Sequence, residues 1–187
     1  MSRVDAPLAE LVVAAADGDR TAWETIVTRF SALVWSIPRS FRLSSSEAGD
    51  VAQTTWLRLV ENLDRIDDPE RLGAWLATTA RRESLRTIRM QNRELATEDE
   101  WIFDSASDDA IDRRLLTQER DRALWRAFKT IGERCQVLLR LLAAPDPPSY
   151  LEVSSALDMP VGAIGPTRAR CLEKLRQSLR LHGIETS

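Results

Sequence analysis

The 187-residue chain has a single histidine, His182, and only two cysteines, Cys135 and Cys171. One histidine cannot supply a histidine-based catalytic pair or zinc site, and the few glycines form no phosphate-binding loop. The cysteines lie far apart in apolar helical contexts, so we expect small core residues and neither a disulfide nor metal ligands. The sequence therefore predicts a protein that is not an enzyme and that needs no cofactor or metal.

Long apolar runs are also absent. No segment is apolar over the length of a bilayer, and the N-terminus has neither the basic start nor the apolar core of a signal peptide. We therefore expect a cytoplasmic protein. Its hydrophobic content of 43% is enough to form a packed core.

The net charge is only −3, but the charges are segregated along the chain. Residues 81–93 and 163–182 each carry five basic residues against one acidic residue, whereas residues 94–112 carry eight acidic residues and no Lys or Arg. Two basic blocks separated by an acidic block indicate that parts of the chain bind a polyanion, although the total charge does not.

Apolar residues recur every three or four positions almost throughout, which predicts an all-α fold. Asp17-Gly18 ends a first helix, and Thr21 is a candidate cap for a second that Pro38 ends. The capping-box spacing of Ser44–Glu47 opens a third helix, and Asp68-Pro69 opens a fourth.

The economical arrangement is two small helical domains, residues 1–93 and 115–187, joined by an acidic linker over residues 94–114. The linker contains Trp101-Ile102-Phe103, which is too apolar for a simple solvated tether.

Residues 149–176 predict a helix-turn-helix, in which the second helix enters the major groove of DNA. Pro160 and Gly162 break the two helices apart. Because Pro166 is tolerated only near a first turn, we expect the second helix to begin at or just before it. The side chains that we expect to contact DNA are Thr167, Arg168, Arg170 and Lys174.

The third helix has two faces. The core stripe is expected to contain Ala52, Trp56, Leu59, Leu63 and Val60. The other face is polar except for one leucine, which indicates either a protein-docking surface or a scattered exposed side chain. Its residues are Asp50, Gln53, Thr54, Leu57 and Glu61.

The fourth helix packs through Leu72, Leu76 and Ile88 and is basic in its later half. Arginine binds phosphates through a planar fork and stacks on bases. A favourable interaction with the helix dipole is the structural alternative. The candidate DNA contacts are Trp75, Arg81, Arg82, Arg86 and Arg89.

These motifs, in this order, resemble a bacterial sigma-70 family factor of the extracytoplasmic-function (ECF) type, over roughly residues 8–181. Residues 50–63 resemble the segment that docks on the coiled coil of the RNA polymerase β′ subunit. Residues 74–93 resemble the segment that melts and reads the minus-ten element, and residues 150–176 resemble the helix-turn-helix that reads the minus-thirty-five element.

The resemblance implies a transcription initiation factor that binds core RNA polymerase through its β′ and β subunits, binds promoter DNA, and is held by an anti-sigma factor. It assigns Asp50, Gln53 and Leu57 to the polymerase and the arginines of the fourth helix to melting DNA. The loop 64–73 becomes a pocket for an extruded base. Thr54 departs from the pattern, since an acidic residue is usual there.

Two other functions stay open on the sequence alone. A dimeric helix-turn-helix regulator with an N-terminal helical sensor domain predicts a homodimer on a palindromic operator. A helical adaptor, whose basic patches bind acidic partners, predicts no DNA footprint with or without polymerase.

Overall fold

The computed structural model describes residues 6–97 and 119–181. Every regular element within these ranges is helical, so the predicted all-α fold is confirmed. The α-helices are α1 (Leu8–Ala16), α2 (Arg20–Ser40), α3 (Ser45–Asn62), α4 (Leu72–Thr97), α5 (Glu119–Thr130), α6 (Glu133–Leu142), α7 (Tyr150–Leu157) and α8 (Val161–Leu181).

Helices α1 to α4 pack on one another, and their boundaries follow local signals. Gly18 adopts φ +89° just after α1, in the left-handed region that favours glycine. Ser44 and Glu47 form the predicted capping box at the start of α3. The cap of α2 is Asp19, whose carboxylate accepts the N–H groups of Thr21 and Ala22, so the assignment of the cap to Thr21 was wrong.

Two prolines lie inside helices that they were expected to bound. Helix α2 continues past Pro38 to Ser40 because Pro38 lies in its last turn, where little of the hydrogen-bond ladder is lost. Helix α8 begins at Val161 and runs through Pro166, so the expected start at the proline was wrong. The residue before Pro166 is Gly165, which has no Cβ to clash with the proline ring.

The start and end of α4 also differ from the expectation. Asp68 caps a 3-10 turn over Pro69–Arg71, and α4 follows from Leu72. The helix then extends to Thr97, so residues 94–97 of the predicted acidic linker continue α4. The linker residues 98–114, which include Trp101-Ile102-Phe103, lie outside the described residues.

Helices α5 to α8 form the second group and contain the helix-turn-helix. Ser149 and Glu152 form a capping box at the start of α7. The turn into α8 is made by Asp158, which adopts the left-handed conformation at φ 53°, while Gly162 lies inside α8. The side chain of Ser154 stabilises the turn by donating to the carbonyl of Met159 at 2.6 Å.

The two cysteines form a disulfide between α6 and α8, with their Cα atoms 5.4 Å apart. Both pack in the core, with Cys171 buried, as expected from their apolar contexts. The expectation that they would not pair was wrong, because sequence separation gives no information on which faces of two helices meet.

The two helix groups share one hydrophobic core. Their main contact is between α4 and α7, the most extensive helix pair in the described part of the chain. At its edge, the guanidinium of Arg140 on α6 donates to the carbonyl of Ser40 at the end of α2, at 3.4 Å. Among the described helices, none is long and apolar enough to cross a membrane.

Reduction of the disulfide is expected to destabilise the α5–α8 group. A crosslink between residues 36 positions apart limits the conformations of the unfolded chain and so raises the free energy of unfolding by about 3–4 kcal/mol. Engineered disulfides often stabilise by less than this. Urea unfolding followed by circular dichroism should therefore show a lower unfolding free energy in reductant. The Cys135→Ser chain should not respond to reductant, and equal stability of the oxidised and reduced wild-type chain would contradict the disulfide.

Candidate functional site

The polar face predicted on α3 is exposed to solvent. Its five residues fall within about 100° of one another at roughly 100° per residue. Leu57 is 57% exposed in their middle, and Thr54 is partly turned inward, where its hydroxyl donates to the carbonyl of Asp50 at 2.8 Å. Glu61 pairs with Arg58 at 3.0 Å. The face therefore combines an apolar centre with a polar rim, the usual composition of a protein interface.

Val60 belongs with this exposed face and was wrongly assigned to the core. It is 57% exposed and lies about 60° from Leu57 around the helix. The rest of the predicted stripe is confirmed, since Leu59 and Leu63 are buried and Ala52 and Trp56 pack partly buried against the core. Ala48, Val51 and Thr55 are also buried on this side of α3. Thr55 was missed because it is polar, yet its hydroxyl is satisfied by the carbonyl of Val51 at 2.8 Å.

One side of α4 is basic and exposed. Arg82, Arg86 and Arg89 lie within about 60° of one another and opposite the buried side of the helix. Trp75 lies on the same side two turns earlier, partly buried against the core. An indole edge and three guanidinium groups thus share one face, which suits a nucleic-acid strand whose phosphates and bases are both contacted.

Arg81 points in a different direction from the other three arginines. It is only 25% exposed, and its Nη2 lies 3.5 Å from Oδ2 of Asp158, in the turn of the helix-turn-helix. Arg81 is therefore directed at the second helix group, and this arrangement keeps it from acting with the exposed arginines.

The four candidate residues of α8 do not share one face. Thr167, Arg170 and Lys174 fall within about 60° of one another, and Arg170 Nη2 lies 3.2 Å from Thr167 Oγ1. Arg168 is exposed about 160° away from Arg170, on the side where α8 meets α5 and α6. Helix α8 therefore carries three of the candidate residues on one face and Arg168 on another.

The loop 64–73 ends at a cleft between the helix groups. The cleft has a volume of about 310 Å³ and is lined on one side by Phe30 and Gly73 and on the other by residues 146–149 and Glu152. A Cβ at Gly73 would lie 3.1 Å from the Phe30 ring and would collide with the Glu152 carboxylate. Glycine at this position therefore permits the close approach of α4 and α7.

Within the described ranges, no cluster of His, Cys, Asp or Glu has the geometry to hold a metal ion. The features that these ranges do present are an apolar-centred face on α3, a basic face on α4 and a basic face on the second helix of a helix-turn-helix. An apolar-centred face suits contact with another protein, and basic faces suit contact with a polyanion.

Comparison with known families matches one part of the chain. Residues 26–94 match the family model described as Sigma-70 region 2, a range that contains the α3 face and the α4 arginines. The chain therefore contains a sigma-70 region 2, in the part where its motifs suggested one. Sigma factors are non-enzymatic transcription initiation factors, which agrees with the prediction that the chain is not an enzyme.

A solved structure shares the fold over both helix groups. It is that of CnrH in complex with the cytosolic domain of CnrY, with a TM-score of 0.62 and 21% sequence identity. The match covers 91% of this chain and 96% of CnrH. No curated protein matches the chain by sequence. The similarity to CnrH therefore shows that the fold of both helix groups is shared.

Proposed function

We propose that the chain directs RNA polymerase to promoters by holding the core enzyme through α3, minus-ten DNA through α4 and the minus-thirty-five element through α8. The observation that carries this proposal is the pair of exposed faces within residues 26–94, one apolar-centred and one basic.

The α3 face supports docking on the β′ coiled coil. Leu57 and Val60 form an exposed apolar pair, and Asp50, Gln53 and Glu61 surround it with polar groups. Thr54 contributes less than its position suggests, because its hydroxyl already donates to the backbone. Val60 is thus an addition to the docking residues proposed from the sequence.

The basic face of α4 supports binding of separated strands. Arg82, Arg86 and Arg89 would bind phosphates, and Trp75 would stack on an unpaired base, so that strand opening is offset by contacts to the opened strand. Arg81 can join them only after its ion pair with Asp158 breaks.

On α8, the face formed by Thr167, Arg170 and Lys174 is the better candidate for the minus-thirty-five element. A recognition helix reads base edges with side chains of one face, and these three share one. Arg168 lies on the other side, so its predicted role as a base reader is the weaker assignment.

The compact arrangement must open for both elements to be bound. Elements named minus-ten and minus-thirty-five are about 25 base pairs apart, or roughly 85 Å at about 3.4 Å per base pair. A compact chain of this length has a radius of gyration of only about 16 Å. The chain between Thr97 and Glu119 can reach roughly 70 Å when extended, which is enough for two separated domains to bridge most of that distance.

The remaining assignments follow from this role. The two domains would be residues 1–93 and 115–187, with α4 extending into the acidic linker, and the second domain would contact the β subunit. We further propose that the chain works in the cytoplasm and that an anti-sigma factor controls it. CnrH, which shares the fold, is complexed with the cytosolic domain of CnrY.

Replacing Leu57 by Glu is expected to abolish assembly with core polymerase. Docking would bury the new carboxylate in the apolar centre of the face and remove its hydration. Because this costs binding energy, we expect the affinity for core enzyme to fall by at least roughly thirtyfold, or about 2 kcal/mol. The affinity is measured by fluorescence anisotropy with labelled chain. Leu181→Glu is the matched control, because Leu181 is 87% exposed at the end of α8. Equal affinities of the two variants would argue against α3 docking.

Replacing Arg170 by Ala is expected to weaken initiation that depends on the minus-thirty-five element. Loss of one base-edge contact should reduce run-off transcription by roughly tenfold at limiting holoenzyme. Arg168→Ala and Arg176→Ala remove the same charge from other sides of α8 and should reduce it much less. Sequence-specific binding of the chain without polymerase would contradict the sigma role. An equal loss of run-off transcription with Arg168→Ala would show that Arg168 also contacts the bases.

A further inference from the structure

The Cys135–Cys171 disulfide restrains the helices through which the second helix group contacts the first. Helix α7 contacts α4, and helix α6 contacts α2. The disulfide joins α6 to α8, and α8 follows α7 directly after the turn of the helix-turn-helix. Because α8 is held to both helices in this way, the disulfide limits how far α6 can move relative to α7.

A series of contacts leads from the disulfide to α4. Helix α6 begins at Glu133, so its first turn carries both Arg134 and Cys135. Nη2 of Arg134 donates to the carbonyl oxygen of Asp158 at 3.4 Å. The carboxylate of Asp158 is paired in turn with Arg81 on α4, at 3.5 Å. A displacement of the first turn of α6 therefore changes a contact of the residue that α4 also holds.

The disulfide is open to attack at one of its two sulfurs. Cys171 is only 1% exposed, whereas Cys135 is partly exposed. The thiolate of a dithiol reductant would therefore bond to Sγ of Cys135, which breaks the Sγ–Sγ bond and releases Cys171 as a thiolate that takes up a proton. The second thiol of the reductant then loses its proton and displaces Cys135, which is protonated as the reductant leaves as a disulfide. Two electrons pass to the protein.

We propose that this disulfide is a redox switch for the contact between the two helix groups. With the disulfide formed, α6 and α7 are held in the arrangement that fits α2 and α4, so the closed form is favoured. Reduction releases α6 from α8. Closing must then also fix the position of α6, which costs conformational entropy, and the groups separate more readily.

The compartment gives the switch a use. In the cytoplasm, where we have proposed that the chain works, disulfides are usually transient and redox-sensing. An oxidised chain that favours the closed form would bridge two promoter elements less readily than a reduced one. This consequence rests on the proposed function, whereas the switch itself requires neither polymerase nor DNA.

The test weakens the contact from the first helix group and measures reduction of the disulfide in the second. In Gly73→Ala, the new Cβ would collide with the Glu152 carboxylate on α7 and push the groups apart. Coupling is reciprocal, so separated groups must favour the reduced cysteines by the factor by which the disulfide favours closing. We expect half of the full-length variant to be reduced at a ratio of dithiothreitol to its oxidised form roughly fivefold lower than for the wild type. Alkylation and mass spectrometry give the reduced fraction.

Gly49→Ala is the matched control in the first helix group. A Cβ there meets only the ring of Trp35, at 3.9 Å, which is an ordinary van der Waals contact. This variant should be reduced at the same ratio as the wild type. An equal shift in Gly49→Ala would mean that any change in the first group alters the disulfide, and it would overturn the proposal.

A second pair of variants tests the contact without adding bulk. Arg81→Ala removes the pair with Asp158 and should shift reduction in the same direction as Gly73→Ala. Arg82→Ala, which removes an exposed neighbouring arginine, should not. Far-UV circular dichroism should show the same helix content in all four variants, which separates opening from unfolding. Wild-type reduction ratios in both Gly73→Ala and Arg81→Ala would exclude the switch.

Discussion

The contact between α4 and α7 is the interaction on which the rest of this structure depends. One side of α4 carries small buried residues at helical spacing, Gly73, Ala77, Ala80 and Ser84, which lets a neighbouring helix approach closely. Opposite them α7 contributes a short apolar surface to the same core. The ion pair from Arg81 to Asp158 on this contact contributes little because Asp158 is largely exposed. Packing therefore holds the two helix groups together, with the hydrogen bond from Arg140 to the carbonyl of Ser40 beside it.

This contact divides the candidate functional residues into two sets. The α3 face, the exposed arginines of α4 and the Thr167 face of α8 point to solvent whether or not the groups are together. Arg81 and the turn of the helix-turn-helix are engaged by each other. The closed form thus leaves the α3 face exposed, whereas the proposed binding of both promoter elements requires the two helix groups to separate. On the proposed function, this geometry favours docking on polymerase before the groups separate.

Features set by local chemistry could be predicted from the sequence, and features set by contacts between helices could not. The end of α1 at Asp17-Gly18 and the capping box at Ser44 depend only on neighbouring residues. Val60 was misassigned because an apolar residue beside a core stripe has the same pattern whether buried or exposed. The Cys135–Cys171 pair depends on how α6 and α8 pack. Pro166 was assigned to a helix start because proline is usually tolerated only there. Inside α8 it is tolerated because the preceding residue, Gly165, has no Cβ.

Energy transfer between dyes on α4 and α8 tests the closed arrangement most directly. Met90 and Val161 are exposed and can be replaced by unnatural residues for labelling, which leaves the disulfide intact. The account predicts high transfer efficiency in the free chain and a large fall when core polymerase and promoter DNA are both added. Efficiency that is already low in the free chain, or that stays high in the complete promoter complex, would contradict it.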